Sequence, residues 1–394
     1  MRINALLSAV LLALSTLPAL ALTLTPSATS APTSASARSE YDQGLQALND
    51  KNLDVAELLF LKAAEKEKGA AGPLLGLAEV ARLRKNDADV EKWVRKATDA
   101  APRSAESQLA MGRLLYARRD FEGAEKFLLK AVEFDPKLPA PVLDLGELYL
   151  NATNQPVRAV GMFEKAVKLS PQHGGAHFGL GHAFMQTRSL ARATASFKEA
   201  ARLSPDNPLA LIGLSQAQAA QGKLDDAVAS LQSAKKLAPG LYTVPLQLGM
   251  IYQQAKQWAE AYAAYTEAIK LNAELPVAYN NLAWMAVERR ERLPEAVQWA
   301  QKAVELAPRN PDFVDTLAWA KRAQGDLKGA IALLESITAS QQASLSALYH
   351  LGIAKSEAGQ KKEALAALKR VITTNPQFAQ AEDVSLRIRQ LETR

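Results

Sequence analysis

The sequence predicts an all-α fold, an array of about ten helix hairpins, on three observations. Residues 105–136, AESQLAMGRLLYARRDFEGAEKFLLKAVEFDP, read as two short amphipathic helices joined by a polar turn. That pattern returns every 34 residues, lengthened twice to 35, from Ser39 onward. Proline closes most units, where it stops the second helix. A hairpin of this size leaves one apolar face uncovered, so it is stable only against a similar neighbour.

Taken in order, residues 1–21 have a basic start at Arg2, an apolar run and the small-residue pattern Ala19-Leu20-Ala21. This is the form of a secretory signal peptide cleaved after Ala21, and the run is short for a bilayer span. Residues 22–38 are Ser, Thr, Ala and Pro with no large apolar side chain after Leu24, so they read as a disordered linker. The array occupies residues 39–378. Its first helices carry a small residue at Gly44, Ala78, Gly112, Gly146, Gly181, Ser215, Gly249, Ala283, Ala318 and Gly352. The second helices match it at Ala56, Val90, Ala124, Ala159, Ala193, Ala227, Ala261, Ala296, Ala330 and Ala364. Two helices crossing at short range need a small side chain on each at the contact. The one-residue insertions fall near Asn154-Gln155-Pro156 and Arg290 to Pro294, and are expected in the hairpin turns, which absorb length at little cost. Residues 379–394 place Val384, Ile388 and Leu391 on one face, as a capping helix needs.

Composition narrows the function classes. Lysine plus arginine exceeds aspartate plus glutamate by only six, with acids interspersed throughout, so no nucleic-acid partner is expected. There is no cysteine, which excludes disulfides, thiolate metal sites, cysteine nucleophiles and a lipid on an N-terminal cysteine. His173, His177 and His182 cluster in sequence, but His173 precedes the helix beside Gly174-Gly175 and no carboxylate lies close, so no metal site is expected. Gly179-Leu180-Gly181 sits within a helix with no strand before it and is no dinucleotide loop. No catalytic residue, enzyme activity or cofactor is predicted.

The period of 34, with Leu180-Gly181, Phe184, Ala193, Phe197, Ala200 and Pro205 in the fifth unit, resembles the tetratricopeptide repeat over residues 37–378. Departures are Gln43 and Lys68 in the first unit, Val90 in the second, and Ala273 and Gln342 at the proline position of the seventh and ninth. The resemblance implies a right-handed α-α superhelical solenoid whose groove is lined by the first helices. Carried across, the lining is Leu109, Arg113 and Tyr116, then Leu143, Glu147 and Leu150, then Phe178, His182 and Met185. Ile212 and Gln216 follow, then Leu246, Met250 and Gln253, then Asn280, Trp284 and Val287, then Asp315, Trp319 and Arg322. Lysine and asparagine of the family's carboxylate clamp are missing. The aligned texts NNLAW and DTLAW project Trp284 and Trp319 to the same side, with Asn280 and Asp315 one turn earlier to hold a peptide backbone. An alternative is that each indole only fills space against the adjacent helix. Trp93, Trp258 and Trp299 read as structural or peripheral, and residues 288–292 as a solvated mixed-charge tip.

Together with the leader, the repeats resemble exported bacterial envelope scaffolds that support pilus assembly, secretion or exopolysaccharide export. The expected partner is a protein or peptide, in the periplasm or outside the cell. No transmembrane segment is expected after signal cleavage, and self-association through the end faces stays open. The alternative is a glycan- or peptidoglycan-binding subunit that uses the indole pair as a stacking platform.

Overall fold

The computed structural model describes residues 30–339, 343–378 and 380–393. The expected signal peptide, linker residues 22–29 and Gln342 lie outside the described residues. Among the described residues every regular element is a helix. They form two compact units, one ending at Gly222 and one beginning at Lys223.

The first unit contains α1 (Ala35–Asn49), α2 (Leu53–Lys66), α3 (Ala71–Leu83), α4 (Asp87–Ala100), α5 (Ala105–Ala117) and α6 (Phe121–Phe134). It continues with α7 (Pro139–Glu147), α8 (Pro156–Leu169), α9 (Gly174–Gln186), α10 (Leu190–Leu203) and α11 (Pro208–Ala220). The second contains α12 (Leu224–Leu237), α13 (Thr243–Gln254), α14 (Trp258–Leu271), α15 (Pro276–Arg289) and α16 (Leu293–Leu306). It ends with α17 (Pro311–Ala323), α18 (Leu327–Thr338), α19 (Leu345–Glu357), α20 (Lys361–Thr374) and α21 (Ala381–Thr393). Within each unit consecutive helices pack as antiparallel hairpins, and each hairpin packs on the next. The fold class is therefore the all-α hairpin array that the 34-residue period predicts.

One contact recurs through the array. The ring of Phe60 on α2 is so close to α1 and α3 that a Cβ added at Gly44 or Gly76 would lie 2.7 Å from it. Phe163 on α8 stands in the same relation to Gly146 and Gly179, and Phe197 on α10 to Gly181 and Gly213. Each ring is buried and wedges between its own first helix and the first helix of the next hairpin. Glycine is required there by close approach. Any side chain would occupy the ring's volume.

The turns are also uniform. The residue after each first helix's last turn is left-handed: Lys51, Lys85, Arg119, Asn154, Arg188, Lys256 and Arg290, with glycine at 222, 325 and 359. The next amide donates to a carbonyl five residues back, as Asn86 does to Ala81 at 2.9 Å, which closes the helix end. Asn86, Asp120 and Asp326 then cap the second helix by accepting from the amide three residues on.

Two features depart from the sequence reading. The insertion in the fourth hairpin lies before the turn, in a π-helical turn, Leu148–Ala152, so Gln155 donates to Tyr149 O where other turns reach one residue less. A wider helical turn takes up the extra residue without moving the cap. Hairpin eight instead places its insertion in the turn, where Arg292 is left-handed as well as Arg290. Residues 35–38, expected in the linker, are the first turn of α1. Its start is fixed by Glu67, whose carboxylate accepts from the amides of Thr33 and Ser34 at 2.9 Å and is held below the usual range by those bonds. At the other end, α21 packs Val384, Ile388 and Leu391 against Leu348, Leu368 and Val371.

Two predictions follow from the wedge and the turn. Gly179→Ala should destabilise the protein by about 1–3 kcal/mol in urea unfolding, and adding Phe163→Leu should restore part of that loss. Lys85→Gly and Arg119→Gly should each stabilise by about 0.5–1 kcal/mol, because relief of left-handed strain outweighs glycine's extra unfolded-state entropy. A loss of stability in both turn variants would contradict the strain argument.

Candidate functional site

First-helix side chains make a surface in each unit, and burial decides which of them a guest can reach. In the first unit Arg113 on α5 forks onto Asp144 on α7, Nε to Oδ2 at 2.5 Å and Nη2 to Oδ1 at 3.3 Å. Asp144 is buried, and burial raises its pKa although the guanidinium opposes the rise. Glu147, one turn along, is half-buried and pushed up to about 7, first by burial and then by the Asp144 charge. Tyr116 faces both carboxylates and is raised by burial and their charge. Two acids thus share one guanidinium on a partly dry surface. Phe178 and Met185 on α9 are half-buried beside it in sequence register.

His182 is not on that surface. Its ring lies edge-on to Phe178 at 4.6 Å and to Phe197 at 5.0 Å, its exposure is 8%, and its Nε2 has no hydrogen-bond partner among the described residues. Burial pushes its pKa down to about 4, so it is a neutral core residue at pH 7. His173 caps α9, its Nδ1 accepting from the Ala176 amide at 3.0 Å, and His177 Nε2 lies 3.0 Å from Pro171 O.

In the second unit the two indoles converge on a residue that the sequence reading passed over. His350 on α19 stacks on Trp319 at 4.0 Å with rings 20° apart, and lies 6.1 Å from Trp284. Asp315 Oδ1 is 2.7 Å from His350 Nδ1 and fixes the imidazole. Arg322 places its guanidinium 4.2 Å from the Trp319 ring and forms a two-bond salt bridge with Glu357, Nε to Oε2 at 2.8 Å. Trp284, Trp319 and Arg322 remain half-buried.

Asn280 and Asp315, read as ligands for a peptide backbone, are turned to the interior, at 4% and 1% exposure. Asn280 donates to Asn281, Asn281 to the Tyr265 hydroxyl at 3.1 Å, and that hydroxyl to Gln253 at 2.7 Å. Asp315 serves His350 instead of a guest. The same burial removes Leu109, Leu150, Ile212, Gln216, Leu246, Met250, Gln253 and Val287 from the lining. The close stacking of first helices covers them.

Among the described residues no group of three or more His, Asp or Glu converges as a metal site would require, and no helix is long and apolar enough to cross a membrane. Stacked hairpins presenting mixed aromatic and charged surfaces define a repeat protein of the interaction class. A model described as the second ARM domain of tetratricopeptide repeat protein 21 matches residues 149–382, and one described as tetratricopeptide repeat matches residues 90–139. The chain belongs to the tetratricopeptide repeat family. Among solved structures, it is similar to the APC/C hetero-tetramer Cut9–Hcn1 at 17% identity, over 90% of this chain and 76% of that one, with a TM-score of 0.50. A tetratricopeptide repeat protein from Parabacteroides merdae is 14% identical over 64% of this chain and 98% of that one, with a TM-score of 0.51. At those identities the likeness is one of fold. No curated protein sequence matches the chain.

Two of the perturbed groups of the first unit, His182 and Glu147, titrate with opposite effect. His182 is depressed on folding, so its share of stability is complete above pH 6.5 and is lost as pH falls toward 4. Glu147 is raised, so its share is present below pH 4.5 and is lost as pH climbs to about 7. His182→Phe should therefore reduce the acid sensitivity of urea unfolding between pH 7 and pH 4.5 by about 2 kcal/mol. Glu147→Gln should stabilise by about 1–2 kcal/mol at pH 8, after discounting for solvent screening, and by almost nothing at pH 4.

Proposed function

We propose that the protein is a non-enzymatic scaffold of the bacterial periplasm or cell envelope that holds a protein or peptide partner on its first-helix surface. The observation that carries the reading is the cluster of Trp284, Trp319 and Arg322 around His350. Half-exposed indoles and an arginine, set on a rigid backing, are the residue types that dominate protein interfaces. Their geometry is set before a guest arrives, so little ordering entropy opposes binding. Asp315 acts from behind by fixing the His350 ring. Export rests on residues 1–21, and a role in assembling a secretion, pilus or exopolysaccharide-export complex rests on analogy with envelope repeat proteins.

The glycan reading draws less support. Trp319 already carries an imidazole stacked at 4.0 Å and a guanidinium at 4.2 Å, so a sugar ring would have to displace one of them. A photo-crosslinker at position 284, in material secreted by the native host, should trap a discrete protein partner. The same group at exposed Val157 should not. Trp284→Ala with Trp319→Ala should reduce capture while circular dichroism shows nearly unchanged helicity. Crosslinking only to glycan, or collapse of the helical signal, would sink the reading. Edman sequencing of exported material should begin at Leu22.

A further inference from the structure

Two tryptophans and a charged turn that the sequence places at the periphery meet in one place. Trp258 and Tyr262 on α14 and Trp299 on α16 line a cleft of about 280 Å³ together with Leu282, Met285 and Ala286 of α15. The Tyr262 and Trp299 rings are 5.9 Å apart and tilted by 59°, so they make a wedge instead of a flat shelf. The rim is the turn with the extra residue. Arg292 lies 4.4 Å from the Tyr262 ring, and Arg289 lies 5.7 Å from Trp258 while it is paired with Glu291 at 2.8 Å. Among the described residues Arg292 salt-bridges to no carboxylate, which leaves the mouth of the cleft one positive charge in excess.

We propose that this cleft is a second binding site, on the second-helix side of the hairpins, for an acidic aromatic peptide segment. A Phe or Tyr side chain enters the cleft against the Trp258, Tyr262 and Trp299 rings, and a neighbouring Asp or Glu carboxylate meets the Arg292 guanidinium. Three features select that occupant. Leu282, Met285 and Ala286 line the α15 side with alkyl and thioether groups, so a sugar would bury hydroxyls with no partner against them. The tilted rings offer edge-to-face contact to one more aromatic ring. The excess charge is positive and belongs to a guanidinium, whose fork matches a carboxylate. None of these residues belongs to the Trp284–Trp319 cluster, so the two sites stand or fall separately.

The test uses the full chain and four probes in titration calorimetry at low salt. They are an acetylated, amidated hexapeptide with Phe flanked by Asp, the same peptide with Ser for Phe, the same with Lys for Asp, and trigalacturonate. The Asp-Phe peptide should bind, and either change should weaken it about ten-fold or more. Arg292→Gly removes the guanidinium while easing a φ of +50°, so it should weaken binding about ten-fold without loss of thermal stability. Arg292→Lys should recover part of the affinity, and Trp284→Ala should change nothing. No binding of the Asp-Phe peptide, equal binding of the Ser peptide, tighter binding of trigalacturonate, indifference to Arg292→Gly, or abolition by Trp284→Ala would each overturn the proposal.

Discussion

The structure depends on one steric relation: in most hairpins a large side chain from the second helix occupies space that two first helices would otherwise contest. Phe60, Phe163 and Phe197 show it in its tightest form, each with glycine on both sides. The relation sets how closely hairpins approach, and it acts twice per ring, within a hairpin and across to the next. A hairpin therefore cannot loosen alone. This is the physical content of nearest-neighbour stability in repeat proteins.

The same relation decides where polar chemistry can enter the first-helix surface. The position facing the ring from the following hairpin is glycine at 76, 179 and 213, where the wedge is phenylalanine. Where the wedge is Leu128, Tyr265 or Leu334, the equivalent position carries Asp144, Asn281 or His350. Those three are the centres of the polar networks: Asp144 with Arg113, Asn281 with Tyr265, His350 with Asp315. In those three units a smaller or polar-tipped wedge leaves room for a longer side chain, and a polar group buried there must find a partner. Groove chemistry thus follows from core volume.

That coupling explains what was legible in the sequence and what was not. The fold was legible because its signals are local and repeated: small residues at fixed positions, proline at unit ends, one polar turn per period. Trp284 and Trp319 were legible because NNLAW and DTLAW are in register, so two indoles had to share a side. The roles of Asn280, Asp315 and His182 were not, since helical periodicity assigns a face but not the depth at which the neighbouring hairpin closes over it. His350 was missed because it lies one unit further along, at a place where glycine or alanine stands in units two, three, five and six. Reading that position together with the size of the preceding wedge would have marked it. The insertion at 148–152 escaped for a related reason: sequence places a length change between two anchors, and only hydrogen bonding distinguishes a wide helical turn from a long loop.

The eighth hairpin shows how a single added residue alters a surface without disturbing the array. In the regular turns the left-handed residue stands two places before the second helix; here it stands three before, and the added length is taken up at Glu291 and Arg292. Arg292 then adopts a second left-handed conformation that glycine would adopt at less cost. The wedge position of this hairpin, Ala300, is the smallest in the series and is fully buried, so the adjacent Trp299 carries the bulk of α16 on a half-exposed face. Aromatic volume that other hairpins spend between first helices is displaced here to the second-helix side, beside Tyr262 and beneath Arg292. Strain kept in the turn and bulk moved out of the core occur in the same unit, and together they form a cleft that the regular repeat has no means of making.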